Sequence, residues 1–331
     1  MIYIKLKKKV IIVQPIHEKG LELLKKSVEE VIVSPDDSVE TVKKLLDETV
    51  EGVIVRYNPF PRELMEKAPN LKVIGRHGIG VELIDLNAAT EKGVVVVNTP
   101  EAATNSVAEH AVTLMLCLAK NILFADKESR KANYAVKNKM LCTDLEGKIL
   151  GIIGAGKIGL EVAKKCMNGF NMKVLAYDPF ADKRKIEELG ISLVDEISVV
   201  LMEADFVSLH LPLTKDTKYS IGENEFKKMK KTAFLINCAR GAVVNEKELV
   251  KALKEGEIAG AGLDVVEKEP PDKDNLLLKL DNVVLTPHSA SLTVESKIKM
   301  AVTVVEEVVK VLKGEKPKYL VNPEVWANRK K

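Results

Sequence analysis

The chain has 331 residues, enough for two domains, since single hydrophobic cores stop growing near roughly 250 to 300 residues. Hydrophobic residues make up 46% and charged residues 30%, and 51 basic against 48 acidic residues leave a formal net charge of only +3. That balance describes an ordinary globular chain, with no electrostatic reason to expect nucleic acid or an anionic membrane as partner.

The basic clusters "KLKKK" near the start and "NRKK" at the end read as solvated termini. The apolar run "VIIV" stops at Gln14 and Pro15, too short for a signal peptide, and no segment reaches the roughly 18 apolar residues of a membrane helix. Cys117, Cys142, Cys166 and Cys238 show no CxxC spacing. They read as reduced packing residues of a cytoplasmic protein, with neither disulfide nor metal site expected.

The first hundred residues alternate apolar strands ("KVIIVQ", "EEVIVS", "EGVIVR", "LKVIGRH", "GVVVVNT") with helical stretches ("EKGLELLKKS", "SVETVKKLLDE", "PRELMEKAP", "LNAATEKG"). Near-continuous Val/Ile strands separated by helices predict a parallel sheet covered on both faces. In "TNSVAEHAVTLMLCLAKN" the Ser106–Glu109 spacing predicts a capped helix start at Ser106. Val107, Ala111, Leu114, Met115 and Leu118 would form its apolar face. Residues 122–146 read as charged and irregular. From Lys148 a second series follows: "KILGII", "KVLAYD", "ISLV", "DFVSLHLP", "TAFLINCA", "IAGAGLDV" and "NVVLTP". A long helix, "TVESKIKMAVTVVEEVVKVLKG", ends on a glycine. The pattern predicts two doubly wound α/β domains, the second inserted within the first and the last helix returning to it.

Gly154-x-Gly156-x-x-Gly159 follows one strand and opens a helix, and the next strand ends in Asp178 about twenty residues on. This is the context of a dinucleotide-binding unit. Gly154 suits the tight turn, Gly156 close approach of the pyrophosphate, and Gly159 helix–strand packing. The helix N-terminus offers N–H groups and a positive dipole end. Asp178 can accept from the ribose hydroxyls and would repel a 2′-phosphate, which favours NAD over NADP. Lys183 and Arg184, nearby in sequence, read as helix-surface residues.

Of five histidines, His17 reads as structural or surface, and His110, inside the long helix, as structural. His288 differs, because "NVVLTPHSAS" sets it just past a strand, at the sheet edge where ligands bind. Arg240 in "LINCARG" and Glu269 in "LDVVEKEPP" occupy comparable places. Each alone is ordinary ion-pair chemistry; together they suffice to reduce a 2-oxo acid with NADH. Glu269 would keep His288 protonated as general acid in reduction, the same residue being the base in oxidation. Arg240 would fork onto the substrate carboxylate and polarise its carbonyl.

"GAGKIG", "AYDP", "HLPLT", "INCARGAVVNEKELVKAL", "AGAGLDVVEKEPP" and "LTPHSA" resemble the NAD-dependent D-isomer-specific 2-hydroxyacid dehydrogenases, in a 3-phosphoglycerate dehydrogenase-like branch. The resemblance runs from "EGVIVR" to the last helix. It implies a Rossmann NAD-binding domain at 103–289 inserted within a flavodoxin-like substrate domain at 1–102 and 290–331, with substrate in the cleft. It implies the roles above for Arg240, Glu269 and His288. It also implies that Lys157, Ile158, Asp178, Leu211, Pro212, Cys238, Ala239, Arg240, Asp264, His288 and Ser289 line the cofactor, Asp264 near the nicotinamide carboxamide. Residues 122–147 would match the family's dimer-forming extension, so a homodimer is implied. At this length no regulatory C-terminal domain of the kind found on some phosphoglycerate dehydrogenases is expected.

Substrate choice in this family rests on loops reading here "VRYNPF" and "GRHGIGVEL". Arg56 matches an arginine of phosphoglycerate dehydrogenases. His77, Ile79 and Glu82 replace the usual Ala, Thr and Asp. The N–H groups of Gly78, Ile79 and Gly80 could hold a carboxylate. Arg56, Arg76 and His77 could bind a substrate phosphate or simply make ion pairs. The alternatives are a glyoxylate/hydroxypyruvate reductase and, outside enzymes, an NAD-sensing corepressor-like binding protein.

Overall fold

In the computed structural model, which describes residues 5–330, the Val/Ile runs are strands and the stretches between them are helices. The first series is β1 (Leu6–Ile12), α1 (Glu18–Ser27), β2 (Val28–Val33), α2 (Val39–Leu45), β3 (Val50–Val55), α3 (Arg62–Lys67), β4 (Val73–Arg76), α4 (Leu86–Glu91) and β5 (Val95–Val97). Its strands pair in parallel in the order β2-β1-β3-β4-β5, the flavodoxin-type order. Helix starts are set by side chains that accept first-turn N–H groups: His17 from Lys19, Ser38 from Thr41, Asp85 from Ala88. His17 is therefore structural, as its place in the sequence suggests.

The second series begins with α5 (Thr104–Ala119) and α6 (Ile122–Ser129). It continues through β6 (Ile149–Ile153), α7 (Lys157–Phe170), β7 (Lys173–Tyr177), α8 (Lys183–Glu188), β8 (Ser192–Leu193), α9 (Ile197–Glu203) and β9 (Phe206–Leu209). It closes with α10 (Glu223–Phe226), β10 (Phe234–Asn237), α11 (Glu246–Glu255), β11 (Gly260–Leu263) and β12 (Val283–Leu285). These strands are parallel in the order β12-β11-β10-β9-β6-β7-β8, a Rossmann order with β6 and β9 adjacent at the reversal. α5 and α7 cover one face, through Ala111, Leu114, Met115, Val162 and Cys166. α9, α10 and α11 cover the other, through Val200, Phe226 and Leu249. Burial pushes the Cys166 thiol up to about 12, so it is an inert packing group.

The last helix, α12 (Val294–Leu312), lays Val304, Val305 and Val308 on the first sheet, beside Leu24 of α1. α2, α3 and α4 cover that sheet's opposite face with Val42, Leu64 and Ala88. Each fully buried valine or leucine contributes roughly 1.5–3 kcal/mol. The chain thus divides into two units, one running to Ala103 and resuming at Leu292, the other Thr104–Ser291. Among the described residues no single helix is long and apolar enough to cross a membrane.

Three local expectations fail. α5 starts at Thr104, so Ser106 lies buried in the first turn; Glu109 instead accepts from Asn105 Nδ2 at 2.8 Å and pairs with Lys165 at 3.4 Å. The stretch from Ile122 is not wholly irregular, since α6 occupies Ile122–Ser129 and a 3₁₀ turn Tyr134–Asn138. The basic N-terminal cluster is not a solvated end. Lys8 and Lys9 belong to β1, where their stems lie along the sheet and their ammonium groups reach Glu51 at 2.7 Å and Asp47 at 3.0 Å. At the other end Arg329 stacks over Trp326 and Lys330 donates to the Pro69 carbonyl, while Lys331 lies outside the described residues.

Candidate active site

β6 and β9 leave their sheet toward helices on opposite faces, which opens a crevice at their carboxyl ends. The glycine turn lies there, and its three glycines answer to three different constraints. Gly154 has φ +98°, and a Cβ on it would meet the His210 carbonyl at 2.8 Å. A Cβ on Gly159 would collide with the Gly154 carbonyl oxygen, so this glycine lets α7 close onto the turn. A Cβ on Gly156 would meet nothing within 4 Å, leaving its side open for a ligand to approach the backbone. α7 begins at Lys157, and Ile158 packs into the core beneath.

Asp178, at the end of β7, accepts from Ala155 N and Phe180 N, each at 2.9 Å. It therefore pins the glycine turn while its remaining lone pairs can accept more. His210 sits under the turn with its Nε2 2.9 Å from Ser208 Oγ, and burial pushes its pKa down to about 4, so it is neutral. Leu211 packs on the core and Pro212 caps a turn by accepting from Thr217 Oγ1. An open backbone at Gly156, a helix N-terminus and an acceptor carboxylate fit a dinucleotide.

Beyond β10, β11 and β12 the edge carries the titratable groups. Buried Asn237 accepts from Ala239 N and donates to the Arg240 carbonyl, both at 3.0 Å, which fixes the Cys238–Ala239–Arg240 turn. Arg240 Nη1 donates to the Ala239 carbonyl at 2.8 Å. Burial and the neighbouring Asp264 charge push the Cys238 thiol up, so it is no nucleophile. Asp264, 1% exposed, collects Thr286 Oγ1 at 2.6 Å, Ser289 N at 2.8 Å and Ala290 N at 2.9 Å. His110 Nε2 lies 2.9 Å from Thr286 Oγ1.

These bonds hold the turn that carries His288, whose φ of +51° costs on the order of 1–3 kcal/mol in a non-glycine residue. His288 Nδ1 donates to Glu269 Oε2 at 2.7 Å, leaving Nε2 for chemistry. That bond raises the His288 pKa above the ordinary histidine value, against burial and the Arg240 charge, with Glu269 and Asp264 charges adding to it. Burial alone would raise the Glu269 carboxyl. Its hydrogen bond and charge interaction with His288, the Val266 N–H and Arg240 outweigh that, so it lies below the ordinary range. The arrangement can hold a protonated imidazole beside a guanidinium, and can give or take one proton near neutrality.

The substrate residues inferred from sequence all lie in the first unit, apart from Arg240, at the carboxyl ends of β3 and β4. Arg56 donates from Nη1 to the Pro15 carbonyl at 2.7 Å and lies 5.3 Å from the Tyr57 ring centre; it makes no ion pair among the described residues. Two details of the expected anion site change. His77 is 6% exposed, and burial, with help from Arg56 and Arg76, pushes its pKa down to about 4, so it is a neutral group and not a cation. The Gly78 N–H donates to the Arg76 carbonyl at 3.0 Å, which leaves the N–H groups of Ile79 and Gly80 for a carboxylate.

Sequence reasoning missed the parts played by Asp264, Asn237 and His210, whereas His110 is structural as its place in the helix suggests. Asp264 was legible only as a cofactor neighbour, because the donors it gathers come from the loop after β12.

Residues 112–290 match the model for the D-isomer specific 2-hydroxyacid dehydrogenase, NAD binding domain. The chain is 43% identical over 307 residues to a D-3-phosphoglycerate dehydrogenase from Archaeoglobus fulgidus, covering 92% of this chain but 58% of that protein. It therefore spans less than two thirds of that relative's length. A glyoxylate reductase from Korarchaeum cryptofilum is 40% identical over 327 residues, covering 97% of each chain. Among solved structures, a glyoxylate reductase from Paecilomyes thermophila superposes with a TM-score of 0.86 at 30% identity, over 96% of this chain and 99% of that one.

Proposed function

The chain belongs to the D-isomer specific 2-hydroxyacid dehydrogenase family, and from that premise we propose that it interconverts a small D-2-hydroxy acid and its 2-oxo acid. The observation that carries the reading is the 2.7 Å His288–Glu269 pair at the carboxyl edge of a dinucleotide-type sheet, within electrostatic reach of Arg240. When bound, a nicotinamide dinucleotide supplies or accepts the hydride at the substrate's C2.

The protein's residues do the rest. Arg240 forks onto the substrate carboxylate and polarises the carbonyl. His288, charged because Glu269 favours its cation, donates the Nε2 proton to the carbonyl oxygen in reduction and removes it in oxidation. The neighbouring cations stabilise the developing alkoxide, and exclusion of water strengthens both effects. In the first unit, Arg56 and the Ile79 and Gly80 N–H groups are the proposed substrate-recognition elements.

Asp178 supports NAD over NADP, because a 2′-phosphate would meet its charge. Arg56, a cation without an ion pair among the described residues, supports a phosphorylated substrate and hence a 3-phosphoglycerate dehydrogenase-like reaction. The full-length match to a glyoxylate reductase keeps that second reading in play. Ile122, Leu123, Tyr134 and Leu141 are exposed apolar residues in 122–147, which supports a homodimer through that segment. Four unbridged cysteines support a reducing, cytoplasmic setting.

The test is NADH oxidation with phosphohydroxypyruvate, hydroxypyruvate, glyoxylate and pyruvate, compared by kcat/KM. Preference for phosphohydroxypyruvate supports the phosphoglycerate reading, and preference for an unphosphorylated acid the reductase. NADH binding without turnover of any would overturn both and favour a binding protein.

A further inference from the structure

The mechanism leaves one acidic side chain beside the site unused. Glu246 is the first residue of α11, and both of its carboxylate oxygens are engaged by the loop after β11. Its Oε2 accepts from the Glu267 N–H at 2.9 Å and its Oε1 from Asn275 Nδ2 at 2.7 Å. Glu267 and Asn275 bracket the segment that follows β11, and Glu269 lies between them. One carboxylate thus grips both ends of the loop that presents the partner of His288.

Two further contacts act on the same loop. A Cβ on Gly241 would overlap the Val266 carbonyl, so the turn carrying Arg240 lies directly against the loop backbone. Tyr219 donates its hydroxyl to Glu267 Oε1. Within the loop, the Val266 N–H reaches Glu269 Oε1 at 3.2 Å, so moving Val266 and Glu267 moves the carboxylate that His288 meets. Asn275 cannot replace the missing grip by turning over, because its Oδ1 already accepts from Leu277 N at 2.9 Å.

We propose that Glu246 is a positioning residue: by clamping the Glu267–Asn275 loop it holds Glu269 within hydrogen-bond distance of His288 and so keeps the histidine protonated for reduction. It touches neither substrate nor cofactor. The inference rests on the reading of His288 as acid and base. The charged and titratable groups facing His288 are Glu269 from the β11 loop, Asp264 from the end of β11 and Arg240 from the end of β10. His110 of α5 meets the same turn through Thr286. Only Glu269 lies on the segment Glu246 grips, so loosening that segment weakens the contact that favours the cation and leaves Asp264 and Arg240 in place.

The experiment is an NMR titration of the His288 imidazole in the ligand-free protein, for the wild type, Glu246→Ala and Glu246→Gln. It is read beside the alkaline limb of kcat/KM for reduction and the Kd for NADH. Glu246→Ala should move the His288 midpoint acidwards by about half a pH unit or more, and the alkaline limb with it, at unchanged NADH affinity. Glu246→Gln keeps one acceptor for Glu267 N and should shift less; if the alanine variant does not fold, this variant decides alone. A His288 midpoint at the wild-type value in the variants overturns the proposal. Failure of the underlying reading looks different: His288→Ala would then leave the wild-type alkaline limb unmoved, whatever the imidazole titration reports.

Discussion

The carboxyl edges of the two sheets are built on different terms. At the second sheet every polar group proposed for chemistry has an assigned protein partner: His288 has Glu269, the His288 turn has Asp264, and the Arg240 turn has Asn237. At the first sheet Gln14, just past the end of β1, accepts through Oε1 from the Arg56 N–H, yet its Nε2 is buried without a hydrogen-bond partner among the described residues. His77 Nε2 is in the same condition. Arg56 donates from Nη1 to a backbone carbonyl and pairs with no carboxylate among the described residues. The proposed chemistry is preorganised, whereas the proposed recognition edge keeps the Gln14 and His77 side-chain nitrogens without a partner among the described residues. A proton must be ready before substrate arrives, while affinity comes from bonds completed on binding.

The sharpest way to break this contrast is at the second sheet. His288→Ala should lower kcat for reduction by about 10²- to 10⁴-fold with NADH affinity nearly unchanged. Fluorescence titration beside steady-state rates checks it, and equal loss of both would return His288 to a structural part.

Arg56→Ala probes the first sheet. Loss of a charge-assisted bond to phosphate should cost phosphohydroxypyruvate about 10- to 100-fold in kcat/KM, chiefly through KM, and spare glyoxylate. Equal effects on both substrates would deny Arg56 a phosphate.

Glu269→Gln gives the smallest change at neutral pH and the most informative profile. Glu269 raises the His288 pKa, so its removal lowers it. Reduction, which needs the cation, should lose its alkaline side, and oxidation, which needs the neutral imidazole, should extend toward acid. Unmoved limbs in both directions would detach the pair from catalysis.

Many of the strands were legible because doubly covered strands carry short apolar runs such as Val10–Ile12 of β1, Val53–Val55 of β3 and Val95–Val97 of β5. The start of α5 was not, since the Ser106–Glu109 spacing also occurs one turn inside a helix. α6 escaped notice because it is short and none of its residues is buried. Gly154, Gly156, Gly159, Asp178, Arg240 and His288 could be found because strand ends locate them. The neutrality of His77 could not, because burial and two arginines brought close by folding decide it. Nor could the grip of Glu246, whose partners lie 21 and 29 residues away.

The placement of α12 has a consequence for synthesis. Val10, Ile12, Val73 and Val95 face a helix that leaves the ribosome some 200 residues after β5, roughly ten to forty seconds later at about 5–20 residues per second. Until then α1 alone covers part of that apolar face, while the inserted unit emerges whole and can fold first. The nascent chain therefore has an interval in which the part of that face left bare by α1 is a target for chaperones or for a neighbouring chain, and that interval ends only when α12 arrives.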